Sequence, residues 1–427
     1  PGADYSRFSH CLGVCHVTGR ILEAIKANSS VEISGEEIRD YRLAGLLHDL
    51  GHYPFSHPME DAIKDYFSQK LIQPKSAQAA AQGVAQAVES PTTTWHKHEK
   101  VGEVLLATNP ELKELLTTNG VDPAKVYSIF NRREPPRFSN LVSSDLDADR
   151  IDYLLRTALH TGLPYGSVDL DYLLSQMRLD SNDQVCITEK ALRTADHFLL
   201  CRYFDYQQVS YHKTVAGLEW LLKDVIAELL RTGGLAIDGS AGSVDTAIVD
   251  GEWAKFDDIS TFTAIQTLAN STQDEIVRLQ ANAIINRMPP KLVACFEYLG
   301  DGESKYDDRR KLIKAKVSQW ADKFGIDLRL WHIWSKATKL TKTRSRVPVS
   351  SAGHISAQDQ DNIEQSIRIL KKNADVSCPI VEDERALMSI LADYSLHSLR
   401  IYVLLDAEKA SRRTEIEQTI QADISAC

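Results

Sequence analysis

The stretch HDLGHYPFSH, residues 48–57, is the most informative segment of this sequence. It holds three of the chain's 13 histidines and an aspartate within ten residues. Gly51 and Pro54 end any helix that reaches this stretch from its N-terminal side. Neighbouring side chains at a helix end can converge on one point, so His48 and Asp49 are candidates to bind the same metal ion. Imidazole with carboxylate suits iron, manganese, zinc or magnesium better than it suits a thiolate-type zinc site.

Further ligands must come from other parts of the chain. His10 lies one turn into the first amphipathic run, and Asp149 lies in a predicted helix that also carries Asp145, Asp147 and Asp152. Taken singly, each has an ordinary explanation, because a histidine on an apolar helix is usually a packed or surface residue. Aspartates at a helix start are commonly caps or dipole partners, which is the role we predict for the last three. The order His, His-Asp, Asp along the chain favours a metal site.

Helical periodicity dominates the rest of the sequence. Apolar residues recur at three- and four-residue spacing in the runs 10–27, 37–49, 97–108, 146–160, 190–231 and 261–287, of which 190–231 is expected to span more than one helix. Short runs such as 184–188 and 398–405 favour strands. The predicted fold class is mainly α, with a smaller α+β portion late in the chain.

Composition restricts the class of protein. The chain is 43% hydrophobic and 25% charged, with a net charge of −10, which argues against non-specific nucleic-acid binding. No stretch approaches the roughly 20 apolar residues that a transmembrane helix needs. The seven cysteines are scattered, so we expect reduced thiols and a cytoplasmic protein. The chain starts at Pro1 without a methionine, and we expect that preceding residues have been removed.

The motif order resembles the HD-domain metal phosphohydrolases, and most closely their deoxynucleoside triphosphate triphosphohydrolase branch. Four segments carry the resemblance: RFSHCLGV at 7–14, HDLGHYPFSH at 48–57, WHKHE at 95–99 and DADRIDY at 147–153. The resemblance is firm over residues 1–165. It implies a helical HD-domain core.

The resemblance also implies roles for individual residues. The expected metal ligands are His10, His48, Asp49 and Asp149. The expected catalytic groups are His52, His57 and His98, with Glu60 paired to one of these imidazoles. The expected substrate contacts are Arg7 and Arg150 on phosphate oxygens and Tyr153 on the sugar. The cofactor would be one divalent metal ion, with manganese, magnesium, iron, zinc and nickel left open.

These residue types suit phosphate-ester hydrolysis. A metal ion activates water and polarises a phosphoryl oxygen, and arginines stabilise the phosphoryl charge with paired hydrogen bonds. A histidine can donate a proton to the leaving oxygen near neutral pH, typically for roughly 10²–10⁴-fold in rate. The alternative role of the same histidines is to orient a ligand or water.

One position departs from the branch's pattern. Thr157 occupies the place of an acid that meets the sugar 3′-hydroxyl in the branch. We expect Thr157 to contact substrate there through a hydrogen bond, but the loss of the acid weakens the case for deoxyribose selectivity. A later helix motif is echoed in Tyr211 and Lys213, which we expect either to contact substrate or to be core and surface residues.

The basic run Lys336, Lys339, Lys342, Arg344 and Arg346 favours a solvated loop, with effector-nucleotide binding as the alternative.

We expect residues 1–290 to form the catalytic core, with insertions or loops at 74–94 and 232–260. Residues 291–427 would form a smaller region for oligomerisation or effector binding. The predicted activity is hydrolysis of (deoxy)nucleoside triphosphates to nucleoside and triphosphate by a homo-oligomer. Two alternatives remain: hydrolysis of another phosphate ester, such as a nucleoside monophosphate or a phosphodiester, and nucleotide sensing without turnover. No membrane partner is expected, and nucleic acid is disfavoured.

Overall fold

Seventeen α-helices and seven strands make up the described part of the chain. The computed structural model describes residues 2–72, 95–131, 137–301, 304–343, 356–406 and 408–425. The helices are α1 (Arg7–Ser29), α2 (Gly35–Leu47), α3 (His57–Ile72), α4 (His98–Thr108), α5 (Pro110–Thr118), α6 (Pro123–Asn131), α7 (Ala148–Thr161), α8 (Leu170–Gln176), α9 (Leu192–Asp205), α10 (Lys213–Thr232), α11 (Ala241–Val249), α12 (Asp258–Ser271), α13 (Glu275–Ile285), α14 (Ser304–Phe324), α15 (Ala357–Glu364), α16 (Met388–Leu391) and α17 (Arg413–Ser425). The strands are β1 (Met177–Leu179), β2 (Val185–Thr188), β3 (Lys291–Gly300), β4 (Trp331–Lys339), β5 (Arg368–Leu370), β6 (Cys378–Pro379) and β7 (Ser395–Val403).

Side-chain caps fix the three helices on which the predicted metal ligands depend. The side chains of Ser6, Ser34 and Asp147 accept hydrogen bonds from backbone N–H groups in the first turns of α1, α2 and α7 respectively. Such caps typically stabilise a helix by about 1 kcal/mol. Helix α2 ends at Leu47, and His48 is its C-terminal cap. The caps therefore set where His10, His48 and Asp149 lie along their helices.

Two small sheets lie among the helices. One has the strand order β1-β2-β5-β6, in which β2 and β5 are parallel and the other pairs are antiparallel. The other is antiparallel with the order β3-β7-β4, and Val403 of β7 aligns with both Lys291 and Trp331. The first sheet joins a strand from the middle of the chain to one near its end.

Three larger groups of buried apolar side chains hold these elements together. The first packs α1, α2, α6, α7 and α9 and also takes in Ile369 and Ile380 from late in the chain. The second packs α10, α14 and α17 against β7. The third packs α3, α4, α10 and α11. Each fully buried side chain, such as Ile21 or Met59, contributes roughly 1.5–3 kcal/mol.

The structure confirms the predicted fold class of mainly α with a smaller α+β portion. Strands at 184–188 and 398–405 were expected and correspond to β2 and β7, and the run 190–231 divides into α9, a π-helical turn and α10. The 232–260 excursion contains α11. The predicted segment 74–94 lies outside the described residues. The boundary near residue 290 stays a prediction; β3 starts there, although Ile369 and Ile380 pack back on the first core.

The basic run does not form one solvated loop. Lys336 and Lys339 belong to β4, and the backbone N–H of Lys342 donates to the buried Asp145 at 3.2 Å. Arg344 and Arg346 lie outside the described residues. No helix in the described ranges combines the length and apolarity that crossing a membrane requires.

Candidate active site

His48 presents to the site a ring nitrogen that makes no hydrogen bond to any residue that the structure describes. Its Nδ1 is 2.9 Å from the Gly45 carbonyl oxygen; a carbonyl only accepts, so the proton is on Nδ1. Among the described residues Nε2 is buried without a hydrogen-bond partner, 3.2 Å from an oxygen of Asp49 and 3.7 Å from one of Asp149. A buried lone pair facing two carboxylates is unfavourable unless a proton or a cation joins them. This arrangement fits a metal ligand.

His10 faces the same carboxylate from α1. Its Nε2 is 3.0 Å from Asp149 Oδ1, and its Nδ1 is 2.7 Å from Asp152 Oδ2. Arg156 holds Asp152 through two hydrogen bonds of 2.9 Å. Burial alone would lower the pKa of His10, but the hydrogen bonds to Asp149 and Asp152 raise it to about 9. The cluster therefore favours positive charge at this point, which a proton or a divalent cation can provide.

The potential ligand atoms of His10, His48 and Asp149 all lie within 4.8 Å of one another. That spacing allows three bonds of about 2.0–2.2 Å to one ion. His10 and Asp149 were expected ligands on α1 and α7, about 140 residues apart in sequence. The fold brings them together with His48.

Asp49 links this group to its surroundings. One of its oxygens lies 3.2 Å from His48 Nε2 and 3.4 Å from His52 Nε2, and the other lies 2.5 Å from Arg7 Nη1. Burial would raise the pKa of Asp49, but the hydrogen bond from His52 and the neighbouring positive charges hold it well below its usual range. The carboxylate is therefore ionised and available to a cation.

Glu60 gathers the three imidazoles predicted to be catalytic. Its Oε1 lies 3.1 Å from His52 Nδ1 and 3.0 Å from His98 Nδ1, and its Oε2 lies 3.3 Å from His57 Nδ1. Although burial would raise the pKa of Glu60, these hydrogen bonds lower it far below its ordinary value. The hydrogen bond to Glu60 also raises the pKa of His57. One carboxylate thus orients three rings.

The loop between His52 and α3 has an uncommon backbone. Phe55 and Ser56 have φ values of 55° and 58°, in the left-handed region that residues other than glycine seldom adopt. The Phe55 N–H donates to Asp258 Oδ1 at 2.8 Å, and Ser56 Oγ lies 3.1 Å from His52 Nδ1. Consecutive strained residues of this kind concentrate at functional sites. Here they place His52 and His57 on either side of Glu60.

A cavity of about 390 Å³ opens onto these groups. Seven predicted residues line it: Arg7, His48, Asp49, His52, His57, His98 and Asp149. Five others line it that sequence reasoning had not assigned: Ser56, Glu99, Phe130, Val142 and Ser143. Glu99 could have been identified from the sequence, because it belongs to the WHKHE segment. Phe130, Val142 and Ser143 carry no motif and reach the cavity only through the fold.

The remaining predicted substrate residues lie elsewhere around α7. Arg150 is directed at Asp147 and Asp145, at 3.5 and 3.7 Å. The Tyr153 hydroxyl is buried and has no hydrogen-bond partner in the described part of the chain. Thr157 Oγ1 is 3.0 Å from the Tyr5 hydroxyl. Their roles as substrate contacts stay predictions.

Lys213 is the first residue of α10, and Tyr211 lies two residues before it. The Tyr211 ring is 5.4 Å from that of Trp334, among the residues of the second core, and Lys213 is exposed. Neither is among the described residues that line the cavity. A role in substrate binding stays a prediction for both.

Asp145, Asp147 and Asp152 serve the pairing and capping roles expected of them. Asp145 accepts a 2.8 Å hydrogen bond from Arg202 of α9 and is fully buried. Arg202 has no motif signal that would have identified it.

Comparisons with known proteins agree with this geometry. A family model described as the HD domain matches residues 7–155. This chain carries an HD domain over those residues. The resemblance inferred from the four segments is thereby confirmed. HD domains depend on divalent metal ions, and the residues around His48 provide a group that can hold one.

Sequence relatives extend beyond the HD domain. An uncharacterized protein of Bacillus subtilis, YwfO, is 30% identical over 53% of this chain and 45% of its own length. The deoxynucleoside triphosphate triphosphohydrolase SAMHD1 of Bos taurus is 26% identical over 59% of this chain and 44% of its own length. Its homolog from Dictyostelium discoideum is 25% identical over 53% and 41%. The chain spans less than half the length of these curated relatives.

Two solved structures share the fold. A phosphohydrolase from Bacteroides thetaiotaomicron superposes with a TM-score of 0.63 at 22% identity, covering 95% of this chain and 89% of that one. A hypothetical protein from Aquifex aeolicus gives 0.57 at 21% identity, covering 97% and 88%. The fold of the HD domain and of the region that follows it is therefore found in other proteins.

Proposed function

We propose that this protein hydrolyses nucleoside triphosphates, deoxynucleotides included, to nucleoside and triphosphate. The observation that carries the proposal is that one cavity is lined by three of the proposed metal ligands, by the three imidazoles on Glu60 and by Arg7. These are the groups that phosphoryl chemistry requires. The similarity to SAMHD1 over more than half of this chain supports a triphosphate as the substrate.

We propose His10, His48, Asp49 and Asp149 as the metal ligands. A divalent cation bound there supplies Lewis acidity that activates water and neutralises charge on a phosphoryl oxygen. Arg7, whose side chain is 43% exposed while it pairs with Asp49, can reach into the cavity and hold a second phosphoryl oxygen.

In the proposed reaction, water attacks the α-phosphorus and the bond from phosphorus to the 5′-oxygen breaks. The leaving oxygen needs a proton, which at least one imidazole on Glu60 supplies. Glu60 stabilises the protonated ring and fixes its orientation, as the raised pKa of His57 reflects. The attacking water loses its proton to the same group of bases, so the protons balance.

The test is incubation of the purified protein with Mn²⁺ or Mg²⁺ and each of the four deoxynucleoside and four ribonucleoside triphosphates. Ion-exchange chromatography separates the products. Nucleoside plus triphosphate is the expected result, and the Asp49→Ala variant should give none. Inorganic phosphate or a nucleoside monophosphate as product contradicts the proposed bond cleavage, and tight binding without turnover would indicate a sensor.

A second candidate is hydrolysis of a different phosphate ester. It is favoured by Thr157, whose hydroxyl contacts Tyr5 where the triphosphohydrolase branch has an acid for the sugar. Arg150 is also directed at acidic side chains. Turnover of a nucleoside monophosphate or phosphodiester, with none of the eight triphosphates cleaved, would select this candidate.

Effector binding and homo-oligomerisation are proposals for the region after residue 290. The comparison that bears on both proposals is the similarity to SAMHD1 of Bos taurus. That similarity covers 44% of the length of SAMHD1. Size-exclusion chromatography with and without nucleoside triphosphates tests both, because effector-linked assembly would shift the elution volume.

A further inference from the structure

Glu60 and one of its imidazoles are positioned by the turn of residues 53–56, which leads into α3. The Ser56 carbonyl oxygen accepts hydrogen bonds from the N–H groups of Met59 and Glu60, at 3.1 and 3.2 Å. Ser56 also reaches back through its hydroxyl, whose Oγ lies 3.1 Å from His52 Nδ1. The position of Ser56 therefore determines where both Glu60 and His52 lie.

The turn 53–56 does not keep its shape through local preference. Phe55 and Ser56 have φ values of 55° and 58°, a conformation that residues with side chains keep only where surrounding contacts hold them in it. The Ser56 N–H donates to the Tyr53 carbonyl oxygen at 2.9 Å, which closes the turn internally. A contact from outside the turn is needed to hold its other exposed donor, the Phe55 N–H.

Asp258 provides that contact from 203 residues later in the chain. Its Oδ1 accepts a hydrogen bond of 2.8 Å from the Phe55 N–H. Asp258 is the first residue of α12, but the cap of that helix is Asp257, which forms a capping box with Ser260. The Asp258 carboxylate is therefore not needed to start the helix and is available to the turn.

The residues just before Asp258 pack against the same turn. The Tyr53 ring lies 5.2 Å from that of Trp253 and 6.5 Å from that of Phe256, both edge to face. Tyr53 is 2% exposed, and its hydroxyl donates to the Trp95 carbonyl oxygen at 2.7 Å. This buried aromatic group fixes the start of α12 against the turn, so the carboxylate is presented in a defined position.

We infer that Asp258 is a positioning residue for the proposed hydrolysis. It is not among the described residues that line the cavity, but it holds the turn through the Phe55 N–H, so that His52 and Glu60 keep their mutual geometry. The inference rests on the proposed function, which gives Glu60 and its imidazoles their part in the reaction. Asp258 lies outside the HD-domain match at 7–155, so a later part of the chain supports the chemistry of that domain.

Loss of this contact should lower the rate and leave substrate binding intact. Without its acceptor the turn can relax, and the imidazoles then shift relative to the phosphate. A displacement of about 1 Å can cost about 100-fold in rate, so Asp258→Ala should lower kcat by about 10–100-fold. Its KM should stay close to that of the wild type, because Arg7 and the proposed metal ligands lie on other elements.

Asp258→Asn separates positioning from an effect of charge. Asparagine keeps an oxygen that accepts from the Phe55 N–H, so kcat should return close to the wild-type value. Glu252→Ala is the matched control, because it removes an exposed carboxylate that pairs with Lys255 at 2.7 Å in the same part of the chain; its kcat should be unchanged. The substrate is whichever phosphate ester the wild type hydrolyses. An unchanged kcat in Asp258→Ala, a loss confined to KM, or an equal loss in Asp258→Asn would overturn the inference.

Hydrogen exchange at the Phe55 amide tests the contact without relying on activity. This amide should exchange slowly in the wild type and in Asp258→Asn, and about tenfold faster or more in Asp258→Ala. The amides of α12 should keep their wild-type rates, because the Asp257 cap is intact. Faster exchange in Asp258→Ala, with no phosphate ester hydrolysed by the wild type, would refute the proposed function while confirming that Asp258 holds the turn. Equal exchange in all three proteins would overturn the inference whatever the activity.

Discussion

At the scale of single residues, the atom that each histidine offers to the site is decided by what its other ring nitrogen contacts. The Gly45 carbonyl contacts the other ring nitrogen of His48, and Asp152 contacts that of His10. Glu60 contacts those of His52 and His98. Groups outside the cavity therefore control the metal affinity, because they fix the tautomer and the ring orientation.

The first prediction concerns Gly13 on α1. A Cβ at this position would lie 1.8 Å from Asp152 Oδ1 and 2.4 Å from Arg156 Nη2, so both side chains would have to move. Because Asp152 orients His10, Gly13→Ala should weaken metal binding by about 10–100-fold. Titration with Mn²⁺ measures the affinity.

Gly19→Ala is the matched control on the same helix. Its Cβ would meet only the flexible Arg42 side chain, at 3.0 Å or more. An unchanged metal affinity in Gly13→Ala would show that Asp152 does not orient the ligand.

The second prediction concerns the buried carboxyl of Asp205, which is 4% exposed at the end of α9. Burial raises its pKa to about 6 from the usual 3.8. Above pH 6 the charged form is buried in the folded state and costs free energy; below pH 4 the group is neutral in both states and the cost disappears. Asp205→Asn should therefore raise the free energy of unfolding by about 3 kcal/mol at pH 7.5 and by roughly half of that at pH 5.

Urea unfolding of both proteins at the two pH values measures this difference. A stability gain that is the same at pH 5 and pH 7.5 would mean that the ionisation of Asp205 is not its cause.

At the scale of elements, the position of α4 depends on a close approach to the loop after α2. A Cβ on Gly51 would lie 2.1 Å from the His98 carbonyl oxygen and 2.3 Å from the Gly102 nitrogen, both backbone atoms. Only a residue without a side chain allows this contact. The glycine that interrupts the helical pattern in the sequence thus also sets the distance between His98 and the metal site.

The third prediction follows from this contact. Gly51→Ala must push α4 away, which should lower the free energy of unfolding by about 1–3 kcal/mol and reduce turnover because His98 moves. Gly102→Ala faces the same interface, but its Cβ has only the Gly51 nitrogen near it, at 3.8 Å. That variant should be neutral or up to about 1 kcal/mol more stable, as expected for alanine in a helix.

Thermal or denaturant unfolding of the two variants, together with an activity assay, measures both effects. Equal stability of Gly51→Ala and the wild type would refute the close approach.

At the scale of the whole molecule, the site joins distant parts of the chain. The proposed metal ligands come from α1, from the end of α2 and from α7. Beside them, Arg202 of α9 donates both to Asp145 and to the Leu340 carbonyl, at 2.8 and 2.7 Å. The residues after β4 are thereby tied to the segment that leads into α7. A metal ion in the site would cross-link α1, the end of α2 and α7.

The fourth prediction is that removing the metal destabilises the protein. An ion that binds only the folded state adds about 2.7 kcal/mol when its free concentration is 100 times the dissociation constant. Adding a chelator should therefore lower the Tm of the wild type. It should leave the Tm of Asp149→Ala unchanged, because that variant has lost one of the proposed metal ligands. An equal shift in both proteins would place the stabilising ion elsewhere.

Much of the fold and part of the site followed from the sequence. Apolar spacing predicted the helices, because the helical period acts over a few residues. The predicted run 10–27 lies within α1, which extends from Arg7 to Ser29. The order of His10, His48 with Asp49, and Asp149 identified the HD domain before any contact was known.

The sequence by itself determined the helical class and the motif that names the metal site, because both depend on residue type and short spacing. Tertiary structure alone decided which groups meet. It stacks His52 on His98 against Glu60 and turns Arg150 toward Asp145. It also brings residues that belong to no motif, such as Phe130, to the cavity. Such contacts depend on packing between segments far apart in the chain, where local pattern carries no information.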